Sequence, residues 1–292
     1  MDGRAPTPFP RAQGRSGVKI KLLLSLLLGL AILAAVLLRF DLSVVLASFA
    51  RVGILGFVLI VAAGLAAELV LALGIYPFLP HALALSRVFA SRQLRDSSAD
   101  VLPITQLGGV VLAARALVLA GIGAPLAAAA VIADLTAETF AQGLYVLVGV
   151  LASLSLLYKS TALSPYVGAM LGGALFLSAG AMGFAIVQIQ GSHFAERMSA
   201  RLFGARLTHA RDFHLAIRRV YADRGKVLAS MLLQFAGWIG SGLWLWVVLL
   251  TMGFHHVFWT AIAIQALVEG LRSALVFVPA SLGVQEAGYA VL

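Results

Sequence analysis

The chain has 292 residues, 61% of them hydrophobic and only 11% charged, where an ordinary soluble domain carries about 25% charge. With several apolar runs of about 18 residues or more, this excludes a soluble globule and predicts an all-α, polytopic integral membrane protein. About six to eight membrane segments are expected, some re-entrant or broken. The net charge of +9 reads as loop asymmetry rather than affinity for nucleic acid, and the absence of cysteine excludes disulfides and thiolate chemistry.

Residues 1–20 read as a disordered basic tail carrying Arg4, Arg11, Arg15 and Lys19, and 21–292 as a single integral membrane domain. The basic tail before the first apolar segment (Leu22 to Leu38) predicts a cytoplasmic N-terminus. A second segment, Val52 to Leu73, holds Glu68, an acid in an otherwise apolar helix. From Gly74 to Pro103 the mixed sequence predicts a cytoplasmic connection with an amphipathic helix on the membrane surface. Leu102 to Pro125 is short, punctuated by glycine near both ends and charged at Arg115, which fits either a simple span or two half-helices dipping into the membrane.

The run Leu126 to Leu157 is long enough for a tilted span and carries Asp134 and Glu138, four apart and so on one helix face. Two acids at that spacing repel each other, and Arg115 is the expected counter-charge. The Gly- and Ala-rich segment from Leu163 to Val187, with Gly168, Gly172, Gly173, Gly180 and Gly183, predicts close helix packing. Gln188 to Lys226 reads as the main polar loop. Its eight basic residues against three acidic ones place it in the cytoplasm, with anionic lipid headgroups as natural neighbours.

A span from Val227 to Leu250 follows. His255 and His256 read as a polar external turn, since adjacent histidines do not share a helix face and no third metal ligand is near in sequence. The stretch Glu269 to Glu286 is the expected functional centre: Glu269, Arg272 and Glu286 flank a Pro-Ala-Ser-Leu-Gly interruption inside apolar sequence. Charges at membrane depth are expensive and face a protein interior or polar cavity, and broken helices are tolerated in the same places. The chain ends six residues past Glu286 in an unfinished apolar segment, which reads as a C-terminal truncation.

These positions carry a resemblance. Pro103, Leu107 and Gly108 match a Pro and Leu-Gly motif ahead of a short helix, Asp134 and Glu138 match an acid-bearing helix, and Pro279, Gly283 and Glu286 match a Pro-Gly-Gly-x-Gly-x-x-Glu motif in which Ala280 and Ser281 replace glycines. On these residues the chain resembles the lysylphosphatidylglycerol synthase transmembrane region family of flippase-like domains, and within it the hopanoid-biosynthesis-associated branch. The resemblance implies translocation of an amphipathic lipid, such as a hopanoid or polyisoprenoid-linked lipid, between leaflets of a bacterial inner membrane, without a cofactor. Leu107, Gly108, Pro279 and Gly283 would be structural, and no soluble aminoacyl-transfer domain is present.

A flippase must shelter a headgroup while the tails stay in lipid, and a cavity lined by Glu68, Arg115, Asp134, Glu138, Glu269, Arg272 and Glu286 would serve. There is no Gly-x-x-x-x-Gly-Lys-Ser/Thr loop for ATP chemistry, so the energy would come from the lipid gradient or an ion gradient, and a buried acid such as Glu286, Asp134 or Glu138 could carry a proton. Two other functions fit the same charges. One is an intramembrane enzyme acting on a lipid headgroup; the other is a scaffold holding lipid-biosynthesis enzymes through the basic 188–226 loop.

Overall fold

The computed structural model describes residues 42–80, 83–101, 106–159, 208–255 and 258–274, together with 168, 172, 175, 176, 179, 180, 183 and 289. The described residues are helical wherever they are regular, with no strand among them. We number the helices α1 (Leu42–Leu73), α2 (Leu85–Val101), α3 (Gln106–Leu119), α4 (Ala124–Lys159), α5 (Thr208–Ala222), α6 (Arg224–Thr251) and α7 (Phe258–Ala274). α1 breaks at Gly53, where φ is 63°. The described residues up to Gly53 belong to one compact unit, and those from Ile54 onward to a second.

Among the described residues, three helices are long and apolar enough to cross a membrane: the stretches Phe49–Phe78, Ala124–Ser153 and Arg224–Thr251. Their outward faces agree with their composition. Ile54, Leu55, Leu65, Leu232 and Leu243 are exposed, a density of bare apolar side chains that water would penalise and a lipid would solvate. The expected segments at Leu22 to Leu38 and at the C-terminal interruption lie outside the described residues.

Helix ends follow local chemistry. The Asp223 carboxylate accepts from the Lys226 backbone N–H at 3.2 Å and starts α6. α3 and α6 stop in the same way. Gly121 (φ 100°) and Gly253 (φ 89°) take the left-handed conformation, and the next residue's N–H bonds back to the helix (Ile122 to the Leu117 carbonyl at 3.0 Å, Phe254 to the Leu249 carbonyl at 2.8 Å).

α4 is the central helix, packing against α3, α5, α6 and α7. Small residues set the seams. A Cβ on Gly149 of α4 would stand 2.1 Å from the Cβ of Ala266 on α7, and one on Gly270 would meet Val146 at 2.8 Å. Between α1 and α6 the same role falls to Gly237, whose Cβ would lie 2.4 Å from Leu71, and to Gly240 against Ala67. The partner numbers run in opposite directions, so both pairs are antiparallel. By contrast, the Gly-rich stretch expected to pack closely does not do so where it is described. No described atom comes within 4 Å of a Cβ on Gly168, Gly172, Gly180 or Gly183. Gly149→Ala is therefore expected to destabilise by about 1–3 kcal/mol through overpacking. Gly180→Ala should be neutral or stabilising by up to about 1 kcal/mol. Thermal unfolding in detergent compares them.

The 74–103 connection differs most from expectation. α2 is a helix, but its Arg92 and Arg95 are buried in the protein instead of lying on an exposed charged face. It pairs with α3 as an antiparallel hairpin: the Ser91 hydroxyl donates to the Ala113 carbonyl at 3.0 Å, and a Cβ on Gly109 would meet the Arg95 carbonyl oxygen at 2.5 Å. Gly109 lets the two backbones touch. α3 is one helix of 14 residues, about 21 Å long at 1.5 Å per residue, shorter than the roughly 30 Å hydrocarbon core. Its partner is α2, not a second half-helix within 102–125. The basic loop also gains structure, since α5 forms within it and buries Ala216, Ile217 and Val220 while Asp212, Arg218 and Arg219 stay exposed.

Candidate functional site

The face that α2 turns inward runs Val88, Ser91, Arg92 and Arg95, the i, i+3, i+4, i+7 positions that an amphipathic helix normally fills with apolar groups. All four are buried. On α4 the facing stripe is Asp134, Glu138 and Gln142, one turn apart each, with both acids buried as well. The antiparallel α2–α3 hairpin carries these arginines up to α4.

Glu138 is the hub. Arg92 Nη1 donates to its Oε2 at 3.2 Å and Arg92 Nη2 to Oε1, while Arg95 Nη2 also reaches Oε2. Arg95 Nη1 donates to Asp134 Oδ2 at 3.1 Å, and Gln234 Nε2 of α6 donates to Asp134 Oδ1 at 2.6 Å. Gln234 is held there by Gly74, where any Cβ would fall 2.2 Å from its Nε2. A forked guanidinium–carboxylate pair is among the stronger polar contacts a protein makes.

The network opens toward Asp96 and Glu68. Arg95 Nε donates to Asp96 Oδ1 at 2.9 Å, and Arg92 Nε lies 3.1 Å from Asp96 Oδ2, close enough for an ion pair though without hydrogen-bond geometry. Glu68 accepts from Gln93 Nε2 at 3.1 Å and stands 4.0 Å from Arg92 Nε. Side-chain exposure reaches 43% at Glu68 and 36% at Asp96, against 5% at Arg92. A small cavity lined by Ser91, Arg92, Arg95 and Asp134 has room for about one water molecule. Burial opposes the charge on both guanidiniums, but Glu138 above all, with Asp96 and Asp134, outweighs it and holds both above the usual arginine range.

A second polar group continues along α4. Gln142 Nε2 donates to Glu269 Oε2 at 3.3 Å, Gln265 Nε2 to Glu269 Oε1 at 3.4 Å, and Arg272 Nη1 to Glu269 Oε1 at 2.9 Å. The Tyr289 hydroxyl donates to Gln265 Oε1. Glu269 is buried and the Arg272 side chain is one-third exposed. The α4 stripe thus connects the arginine-rich end to the α7 end over two turns, about 12 Å.

Of the residues singled out from sequence, Glu68, Asp134 and Glu138 come together, and Glu269 pairs with Arg272 as its three-residue spacing allows. Arg115 is the correction: it is exposed on α3 and makes no ion pair with Asp134 or Glu138 among the described contacts. The counter-charges are Arg92 and Arg95. Leu107 and Gly108 fall in the first turn of α3, while Pro279, Gly283 and Glu286 lie outside the described residues. His255 is exposed, and no group of three or more potential metal ligands occurs among the described residues. Sequence reasoning also missed Gln93, Gln142, Gln234 and Gln265. The available signal was polar residues sitting at apolar-face spacing. No family model, no curated protein and no solved structure matches this chain.

Proposed function

We propose that this chain moves an amphipathic lipid between bilayer leaflets, with the polar network meeting the headgroup while the tails remain in the surrounding lipid. The observation that carries this reading is the fork of Arg92 and Arg95 on Glu138, a set of fixed charges held inside helices whose outer faces are apolar. Charges at that depth are costly and mark substrate or ion pathways. The less enclosed members, Glu68, Asp96 and Arg272, supply places where a headgroup exchanges with the network. The resemblance directs the substrate toward a hopanoid or polyisoprenoid-linked lipid and the location toward a bacterial inner membrane with the N-terminus inside.

The test is leaflet exchange in reconstituted vesicles, read by quenching of a fluorescent polyprenyl phosphate and of a fluorescent phospholipid. Glu68→Gln and Arg272→Gln change partly exposed ends, so both proteins should insert and fold while transfer falls at least tenfold. Wild-type transfer in both variants would remove the reading. Chemical modification of the lipid during the assay would instead favour an enzyme.

One observation favours a second reading, a scaffold for lipid-biosynthesis enzymes. The exposed Arg218 and Arg219 of α5 adjoin the exposed Arg224 and Lys226, a basic surface built on a helix whose other face is committed to the core. A scaffold would keep its function when the buried charges are neutralised and lose it when this surface is neutralised.

A further inference from the structure

The two acids of the α4 stripe are unequally compensated. Glu138 receives both guanidiniums, whereas Asp134 receives one nitrogen of Arg95 and the amide of Gln234. Gln234 is fully buried, and its Oε1 has no hydrogen-bond partner; the hydroxyl of Ser230, equally buried and one turn back on the same face of α6, has none either. With Asp134 ionised, two buried polar atoms stay unsatisfied, a state proteins normally avoid. A half-turn of the Gln234 amide changes this. Its oxygen then faces Asp134, which at hydrogen-bond distance requires a proton on the carboxyl, and its N–H₂ is freed for another acceptor.

We propose that Asp134 is a proton-binding site with Gln234 as its reader. Hydronium in the adjoining water-sized cavity gives its proton to the Asp134 carboxylate and leaves water. The new O–H donates to Gln234 Oε1, and Arg95 loses the ionic half of its hold on Asp134. Release returns the proton to water and restores the present arrangement. No bond to carbon changes.

The groups that set the field around Asp134 come from every neighbouring helix: Glu68 from α1, Arg92, Arg95 and Asp96 from α2, Glu138 from α4 itself, and Glu269 with Arg272 from α7 through Gln142. α5, packed against α4, carries the buried His214 and places Tyr221 beside Thr136, α6 faces Asp134 with the uncharged Gln234, and α3 carries the exposed Arg115. With Asp134 itself counted, the carboxylates of this set on α1, α2, α4 and α7 outnumber the guanidiniums by five to three, so uptake of a proton relieves an excess of negative charge. This deepens the translocation reading by naming the coupling ion, and it is measured without any lipid movement.

The experiment is infrared difference spectroscopy of the full chain in vesicles, titrated from mildly acidic to mildly alkaline pH in sodium and in choline media. A protonated-carboxyl band should titrate in wild type, vanish in Asp134→Asn, shift in Gln234→Leu and persist in Glu68→Gln. Protection factors over 85–101, referred to the intrinsic exchange rate at each pH, should fall in wild type on acidification as Arg95 is loosened, which keeps the test independent of how well Asp134→Asn folds. A pH-invariant spectrum, a band that survives Asp134→Asn, an unchanged band in Gln234→Leu, or titration abolished by sodium would overturn the proposal. A titrating Asp134 in a protein that moves no lipid would leave the site standing and remove only the translocation reading.

Discussion

Glu138→Ala is expected to detach the α2–α3 hairpin from α4 and to cost about 3–5 kcal/mol, because it takes from buried Arg92 its forked carboxylate partner and from buried Arg95 one of its three ion pairs. Hydrogen exchange should localise the loss: protection falls over 85–119 well before it falls over 224–251, whose helix keeps its glycine seam with α1. Asp134→Ala should cost less, since Arg95 retains Glu138 and Asp96. Arg115→Ala, on an exposed position, should stay within about 0.5 kcal/mol of wild type. Equal losses for Glu138→Ala and Arg115→Ala would show that the fork does not hold the hairpin.

That contrast also shows which features could be read from the chain. The long apolar helices α1, α4 and α6 were legible because length and hydropathy alone decide which helices are able to cross a membrane. The shared face of Asp134 and Glu138 followed from helical spacing. The partners did not follow, because α2 looks like a surface helix by composition: hydropathy cannot tell a solvated arginine from one buried against a carboxylate. Arg115 is nearer to Asp134 in sequence than Arg92 or Arg95, but it stands exposed on α3, while the long side chains of Arg92 and Arg95 reach the acids of α4 from the neighbouring helix of the hairpin. Glycine content misled in a related way. It marks where backbones are able to approach, yet the described glycines of 168–183 face open space while Gly149 and Gly237 sit in closed seams. Only the partner helix decides that, and the sequence does not state it. The basic stretch 188–226 hid α5 because its charged residues dominate the composition, although Ala216, Ile217 and Val220 already mark an apolar face at helical spacing.

Replacing the whole network separates its two conceivable uses. If Arg92, Arg95, Asp134 and Glu138 serve only to fasten the hairpin, apolar residues of similar volume should fasten it as well. Exchanging a buried ionic group for well-packed apolar side chains is often neutral or stabilising by about 1–4 kcal/mol, since no charge has to leave water. The variant Arg92→Met, Arg95→Met, Asp134→Leu and Glu138→Met is therefore expected to fold, insert and recover the hairpin protection that Glu138→Ala loses. Lipid exchange in vesicles should nevertheless fall to the protein-free rate, because an apolar seam offers a headgroup nothing to replace its water. Gln234 bounds the design: its Nε2 would lose Asp134, so a Gln234→Leu companion is needed to avoid a newly stranded amide. Stability recovered without transfer makes the charges functional. Stability recovered with transfer intact makes them a fastening, and places the headgroup elsewhere. Between those outcomes the physical asymmetry favours the first, since a seam needing only adhesion has no reason to bury four charges where four apolar side chains hold better.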